Sequence, residues 1–185
     1  MKEAVVVMDM TNDSIAPEAR AVEIRLKLLE QTRVFLDWAR STGRPVLHVD
    51  SARRKTDVWF RKHWEFVNEI GTQGQLPIPS VYEPGADIVV HKRRYSGFFQ
   101  SDLDLTLREL GVESIIVIGW STSLAVMMTA LDGWQHGYST TVLSDLTIAH
   151  AWGGHTVEEN QRWTLDLIKA MAYSRITTST ELMAA

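Results

Sequence analysis

The chain contains no cysteine, no apolar run near the ~20 residues that cross a bilayer, and no excess of charge of either sign. The first absence excludes disulfides, thiolate-bound zinc and, in the chain as it stands, a thiol nucleophile. The second excludes a membrane-spanning helix. The third, 19 Lys and Arg against 23 Asp and Glu with the signs interspersed, gives nucleic acid or an anionic membrane surface nothing to recognise. Repeats, linkers and low-complexity tracts are missing too. The opening segment Glu3-Ala-Val-Val-Val-Met8 carries no basic stretch and no cleavage site, so the expectation is a cytoplasmic protein.

What is present is ordinary for a globular protein: 185 residues, 45% apolar and 23% charged, enough for a single domain over 1–185 with a real core. Short apolar runs alternate with amphipathic stretches. Strands are expected at Val5–Met8, Val46–Val49, Asp87–Val90, Ser114–Ile118, Thr140–Leu143 and Arg175–Thr177. A helix is expected from Pro17 to Thr42, with an apolar stripe of Val22, Leu26, Leu29, Phe35 and Trp38 and Gly43 as its stop. Others are expected from a Ser101-Asp102 cap to Leu110, over Thr122–His136 and over His155–Ala172, with a short one near Trp59–Asn68 inside an irregular stretch over 51–84. The central strands are continuously apolar instead of alternating, as strands covered on both faces are. The fold class is therefore α/β: a doubly wound, Rossmann-like, parallel six-stranded sheet with helices on both faces. In such sheets the ligand crevice lies beyond the carboxyl ends of the strands, where Asp9, Asp50, Lys92, Gly119 and Asp145 all fall.

Three clusters meet at that edge. Asp9-Met-Thr-Asn12-Asp13 follows the first strand, where desolvation suits a carboxylate to proton transfer; capping of the next segment is the plainer alternative. His91-Lys92-Arg93-Arg94-Tyr95-Ser96-Gly97-Phe98 follows the third. Alternation along the strand turns Lys92 inward, towards an ion pair with Asp9, and leaves Arg93 and Arg94 as solvated charges. Gly119-Trp-Ser-Thr-Ser-Leu-Ala125 is a strand–turn–helix junction whose helix N-terminus offers free N–H groups to an oxyanion. The order Ser121, Asp145, His155 also fits a serine hydrolase, although Ser123 replaces the second glycine of a nucleophile elbow.

Val5–Asp13, Asp87–Phe98 and Gly119–Asp145, with Gly71-Thr-Gln-Gly74 and Thr129-Ala-Leu-Asp132, resemble the isochorismatase-like (cysteine hydrolase) superfamily over nearly the whole chain. That superfamily includes N-carbamoylsarcosine amidohydrolase, nicotinamidase and isochorismatase. The resemblance implies a hydrolase acting on a small-molecule substrate without a cofactor, assembled as a homo-oligomer whose neighbours help wall the pocket. It assigns Asp9 as general base, Lys92 as the catalytic lysine, and Ala125 as the occupant of the nucleophilic cysteine's position. It further implies a cis peptide between Trp120 and Ser121, an oxyanion hole from the N–H groups of Ser121 and Ala125, and Trp120 as a pocket wall. Trp59 and Trp64 are candidates for a second wall; core packing is the plainer reading of most of the seven tryptophans. Some amidase members hold a metal through an Asp-x-His pattern after the second strand. Here His48-Val-Asp50-Ser51 reverses that order and only His63 follows closely, so no catalytic metal is expected.

Ala125 leaves three readings open. The chain is an amidase acting on an amide, urea or carbamoyl bond and lacking its nucleophile, a vinyl-ether hydrolase using Asp9 as general acid without a thiol, or a pseudoenzyme that binds a small ligand.

Overall fold

The computed structural model describes residues 2–15, 22–62 and 67–185. Its sheet is built from β1 (Glu3–Met8), β2 (Val46–Ser51), β3 (Ile88–Lys92), β4 (Ser114–Trp120), β5 (Ser139–Ile148) and β6 (Arg175–Thr177). The spatial order is β3-β2-β1-β4-β5-β6, and every pairing is parallel. The continuous apolar runs are explained by cover on both sides. Ala4, Val6 and Met8 pack into one core with Leu103, Leu107, Ala130 and Ile168, while Val5 and Val7 pack into the other with Leu28, Phe35, Leu36 and Ala39. β4 divides in the same way, Ile115 and Val117 against Ile116 and Ile118. Each such side chain removed from water contributes about 1.5–3 kcal/mol, so the two cores hold the sheet between two helical layers.

One layer comprises α4 (Leu103–Glu109), α5 (Met127–Gln135) and α6 (Val157–Met171); the other holds α2 (Val22–Ser41) and α7 (Ser179–Met183). Single turns α1 (Asn12–Ile15) and α3 (Val58–Arg61) sit in the loops after β1 and β2. No helix among the described residues is long and apolar enough to cross a membrane.

Several expectations need correction. α2 turns Leu28, Thr32, Phe35, Leu36 and Ala39 inward, while Leu26, expected on the buried stripe, is 57% exposed. The expected start at Pro17 lies outside the described residues. Of the helix expected at Trp59–Asn68 the described residues show α3, and 63–66 lie outside them. β3 begins and ends later than expected, and β5 runs on to Ile148 because the β4–β5 register shifts between Val117 and Gly119. The cap of α4 is the Ser101 hydroxyl, which accepts from the Leu103 N–H at 3.2 Å; Asp102 makes no side-chain cap. α6 is opened by Thr156, not His155, in a reciprocal capping box with Glu159, worth about 1 kcal/mol.

The chain winds outward from β1 to β3, then returns to the centre and winds the other way from β4 to β6. The switch point lies between β1 and β4, so Asp9 and Trp120 leave the sheet side by side at its carboxyl edge.

Candidate active site at the switch point

Asp9 directly follows β1 in a left-handed conformation (φ 47°), a region that Asp tolerates better than most residues. That turn aims its carboxylate sideways, across the ends of β2 and β3. Oδ1 accepts the Ser51 N–H at 2.7 Å, and Oδ2 accepts from Lys92 Nζ at 2.6 Å. Lys92 closes β3 and is only 2% exposed, as its inward register requires, whereas His91 beside it is exposed. Its ammonium also donates to Ser51 Oγ and to the Arg94 carbonyl, both at 3.1 Å. The cation therefore holds three acceptors in fixed directions, and Asp9 keeps one oxygen on a backbone donor and one on a charge. Ser51, which serves both partners, was not singled out from the sequence; its register opposite Lys92 is the signal that could have found it.

Behind the pair lies Asp50, fully buried, with both carboxyl oxygens lacking a hydrogen-bond partner. Burial, and then the neighbouring Asp9 charge, push its pKa well above the usual carboxylate range, with Lys92 opposing them. Its surroundings thus favour the protonated, uncharged form of Asp50. The unfolded chain releases this proton near pH 4, while the folded chain keeps it to higher pH. The stability held below pH 4 is therefore lost as pH rises towards the folded pKa. Asp50→Asn removes this loss, so its advantage over the native chain should grow above pH 4 by up to ~1.4 kcal/mol per unit. Urea unfolding at a series of pH values measures it; a difference independent of pH would contradict a raised Asp50 pKa.

The elbow after β4 adjoins Asp9 across the β1–β4 pairing. Gly119 takes φ 107° with its α-carbon against β1, and a Cβ there would strike the Met8 backbone, so only glycine lets β4 pass this close to Asp9. The Trp120–Ser121 peptide is cis. Ser121 then caps a π-helical turn, Thr122–Val126, in which the Val126 N–H reaches back to the Ser121 carbonyl at 3.2 Å. Such wide turns are frequent at functional sites. The expected helix start at Thr122 is this turn, and α5 proper begins five residues later. Ala125, 2% exposed, packs in the same core as Met8 and Val49. The hydroxyls of Ser121 and Ser123 are buried without hydrogen-bond partners. Gln161 of α6 fixes the turn from outside: it accepts from Thr122 Oγ1 at 2.6 Å and donates to the carbonyls of Ser144 and Thr147.

Trp120, partly buried, meets the His150 ring edge-on at 4.9 Å, and His150 in turn meets Trp152 at 5.3 Å. Trp59 stands on α3 and is 68% exposed; Trp64 lies outside the described residues. Arg93, expected to be a free surface charge, pairs with the buried Asp57.

The serine-triad alternative fails on geometry. Asp145 accepts from the Ser179 N–H at 2.8 Å and Ser179 Oγ at 2.6 Å, which ties it to the start of α7. His155 faces Glu159 at 3.8 Å with its side chain 64% exposed, and the Ser121 hydroxyl contacts neither. Among the described residues no group of three His, Asp or Glu side chains could hold a metal ion. His48 reaches Asp87, at 3.3 Å, and the Tyr82 ring.

A doubly wound parallel sheet with a buried carboxylate–ammonium pair at its switch point defines the class of α/β protein to which the chain belongs. Comparison with known proteins makes this specific: the isochorismatase domain model matches residues 3–181, and the chain belongs to that family of hydrolases. It is 30% identical to the ureidoacrylate amidohydrolase RutB of Caulobacter segnis over 171 residues, covering 78% of this chain and 71% of that one. Among solved structures, N-carbamoylsarcosine amidase from Thermoplasma acidophilum is 26% identical, covers 97% of both chains and gives a TM-score of 0.83. A cysteine hydrolase from Pseudomonas syringae pv. phaseolicola is 25% identical over 99% of this chain and 91% of that one, with a TM-score of 0.86.

Proposed function

We propose that this chain is built to hydrolyse a C–N bond of amide, urea or carbamoyl type in a small molecule, and that Ala125 marks the seat of an absent thiol. The observation that carries this reading is the Asp9–Lys92 pair, buried and closed at 2.6 Å beside the elbow that presents position 125. A buried ion pair of this kind is a poor device for stability, since an apolar pair of similar volume often does as well. Proton transfer gives it a purpose. The names of the relatives, which specify ureidoacrylate and N-carbamoylsarcosine, support the same bond type.

In this reading Asp9 takes the proton of a thiol at position 125 as sulfur bonds to the carbonyl carbon. The carbonyl electron pair moves onto oxygen, which the N–H groups of Ser121 and Ala125 receive. Collapse restores the carbonyl and breaks the C–N bond, and Asp9 returns the proton to the departing nitrogen. Water, deprotonated by the same carboxylate, then releases the acyl group and regenerates the thiol. Lys92 holds the Asp9 carboxylate in place. The small-molecule substrate and a homo-oligomeric assembly belong to the same proposal.

Ala125 itself favours a second reading, in which Asp9 acts as a general acid on a vinyl ether and no thiol is required. Ammonia release from a panel of small amides, ureas and carbamates separates them. The native chain should release none, and Ala125→Cys should release ammonia from one class. Silence from both forms, with turnover of isochorismate by the native chain, would establish the vinyl-ether reading instead.

A further inference from the structure

An ordinary α-helical turn would bond the Ala125 N–H to the Ser121 carbonyl, four residues back. The π-helical turn Thr122–Val126 departs from that pattern. Here the Ser121 carbonyl takes the N–H groups of Leu124 and Val126, at 3.1 and 3.2 Å, and not that of Ala125 between them. The wider turn thus withholds from this carbonyl one of the two N–H groups that the proposed reaction aims at the oxyanion. Such turns are rare, because α geometry is the default, so this one needs contacts that hold it open.

Those contacts come from α6. Thr122, the first residue of the turn, is fully buried, and its hydroxyl donates to Gln161 Oε1 at 2.6 Å. A hydroxyl has one hydrogen, so in its 2.7 Å contact with Thr147 Oγ1 it accepts. Gln161 Nε2 gives its two hydrogens to the carbonyls of Ser144 and Thr147, at 3.3 and 3.1 Å. Turned over, the amide would set its oxygen against both carbonyls, so its orientation is fixed as well. Ser144 lies where β5 slips against β4: Val117 pairs with Val142, but Gly119 pairs with Thr147. The Ser144 carbonyl therefore stands outside the β4–β5 ladder and takes its donor from Gln161 instead. Gln161 clasps the turn to the slipped strand, and the capping box of Thr156 and Glu159 secures the end of α6 from which it reaches.

We propose that Gln161 is a positioning residue of the reaction: through Thr122 it holds the π-turn open and keeps the N–H of position 125 available to the oxyanion. This rests on the C–N hydrolase reading and adds to it a residue that touches neither substrate nor nucleophile. Without the clasp the turn tightens towards α spacing, and the Ser121 carbonyl competes with the oxyanion for that N–H.

The Ala125→Cys chain suits the test, since the native chain has no cysteine and the new thiol is then single. Ammonia release from small amides, ureas and carbamates, with acetamide, N-carbamoylglycine and ethyl carbamate among them, reads a step that forms an oxyanion. Alkylation by iodoacetamide reads the same thiol in a step that forms none. Adding Gln161→Met should lower kcat by about 10- to 100-fold, short of the ~10²–10³-fold that outright loss of an oxyanion donor costs. KM and the alkylation rate should stay within about threefold, as they do when only the transition state loses an interaction. Thr122→Val cuts the same bond from the other side and should match it, the two together costing no more than either alone. Thr122→Ser keeps the hydroxyl and should keep most of the turnover. Thermal melting establishes that each variant is folded at the assay temperature. A kcat unchanged by Gln161→Met and by Thr122→Val, or alkylation that falls as far as turnover, overturns the positioning role and leaves the C–N hydrolase reading standing. An Ala125→Cys chain that releases ammonia from no member of the panel overturns both.

Discussion

In a chain carrying Ala125→Cys, Asp9→Asn is expected to reduce ammonia release by at least about 10³-fold, within the range a positioned general base supplies. The size follows from the geometry. Asp9 is buried, and its two oxygens are fixed by Lys92 and the Ser51 N–H. Asp50 is a poor substitute, because its burial, the larger cause of its raised pKa, disfavours the ionised form even without the Asp9 charge. Asparagine preserves the size of the side chain and loses only the capacity to take a proton. A loss of less than tenfold in kcat/KM would mean that the thiol is deprotonated by another group.

The second large effect is on stability and needs no thiol. Lys92→Met leaves the Asp9 carboxylate buried with one backbone donor, and leaves Ser51 Oγ and the Arg94 carbonyl without the donor they share. Breaking a buried pair from one side costs about 3–5 kcal/mol, which in a chain of this size is a fall in Tm of roughly 10 °C. Adding Asp9→Asn to Lys92→Met should recover part of the loss, since no uncompensated charge then remains. Thermal melts of the native chain, the single variant and the double variant measure this. A loss below about 1 kcal/mol for Lys92→Met would show a pair behaving as if screened by solvent, as exposed ion pairs are.

Much of this site was legible because strand alternation is a local rule. Lys92 follows His91, a strand has two faces, and the residue turned inward at the end of a parallel strand meets the strand beside it. The continuous runs Val5–Met8 and Ser114–Ile118 likewise required cover on both faces, and both cores are present. The resemblance to a known family supplied what local rules could not, including the cis Trp120–Ser121 peptide.

The expectations that failed depended on contacts distant in sequence. The reach of β5 follows from a register shift against β4. The face that α2 buries is set by the strands beneath it, and a stripe through Leu26 fits helical spacing as well as one through Leu28 does. Asp145 and His155 have the chain order of a triad, but order carries no distance; Ser179 claims the first, and exposure removes the second. Asp50 looked like any strand-end carboxylate. Only its burial, with the Asp9 charge beside it, shows that its surroundings favour the protonated form.

The central claim is that position 125 is the seat of a nucleophile served by Asp9 and Lys92. Intact-mass spectrometry of the Ala125→Cys chain, mixed with a small amide or carbamoyl compound and quenched in acid, tests it most directly. The predicted result is an acyl or carbamoyl adduct that maps to the peptide containing position 125, absent from the native chain and suppressed by Asp9→Asn. Turnover by the native chain with no adduct in either form would contradict it.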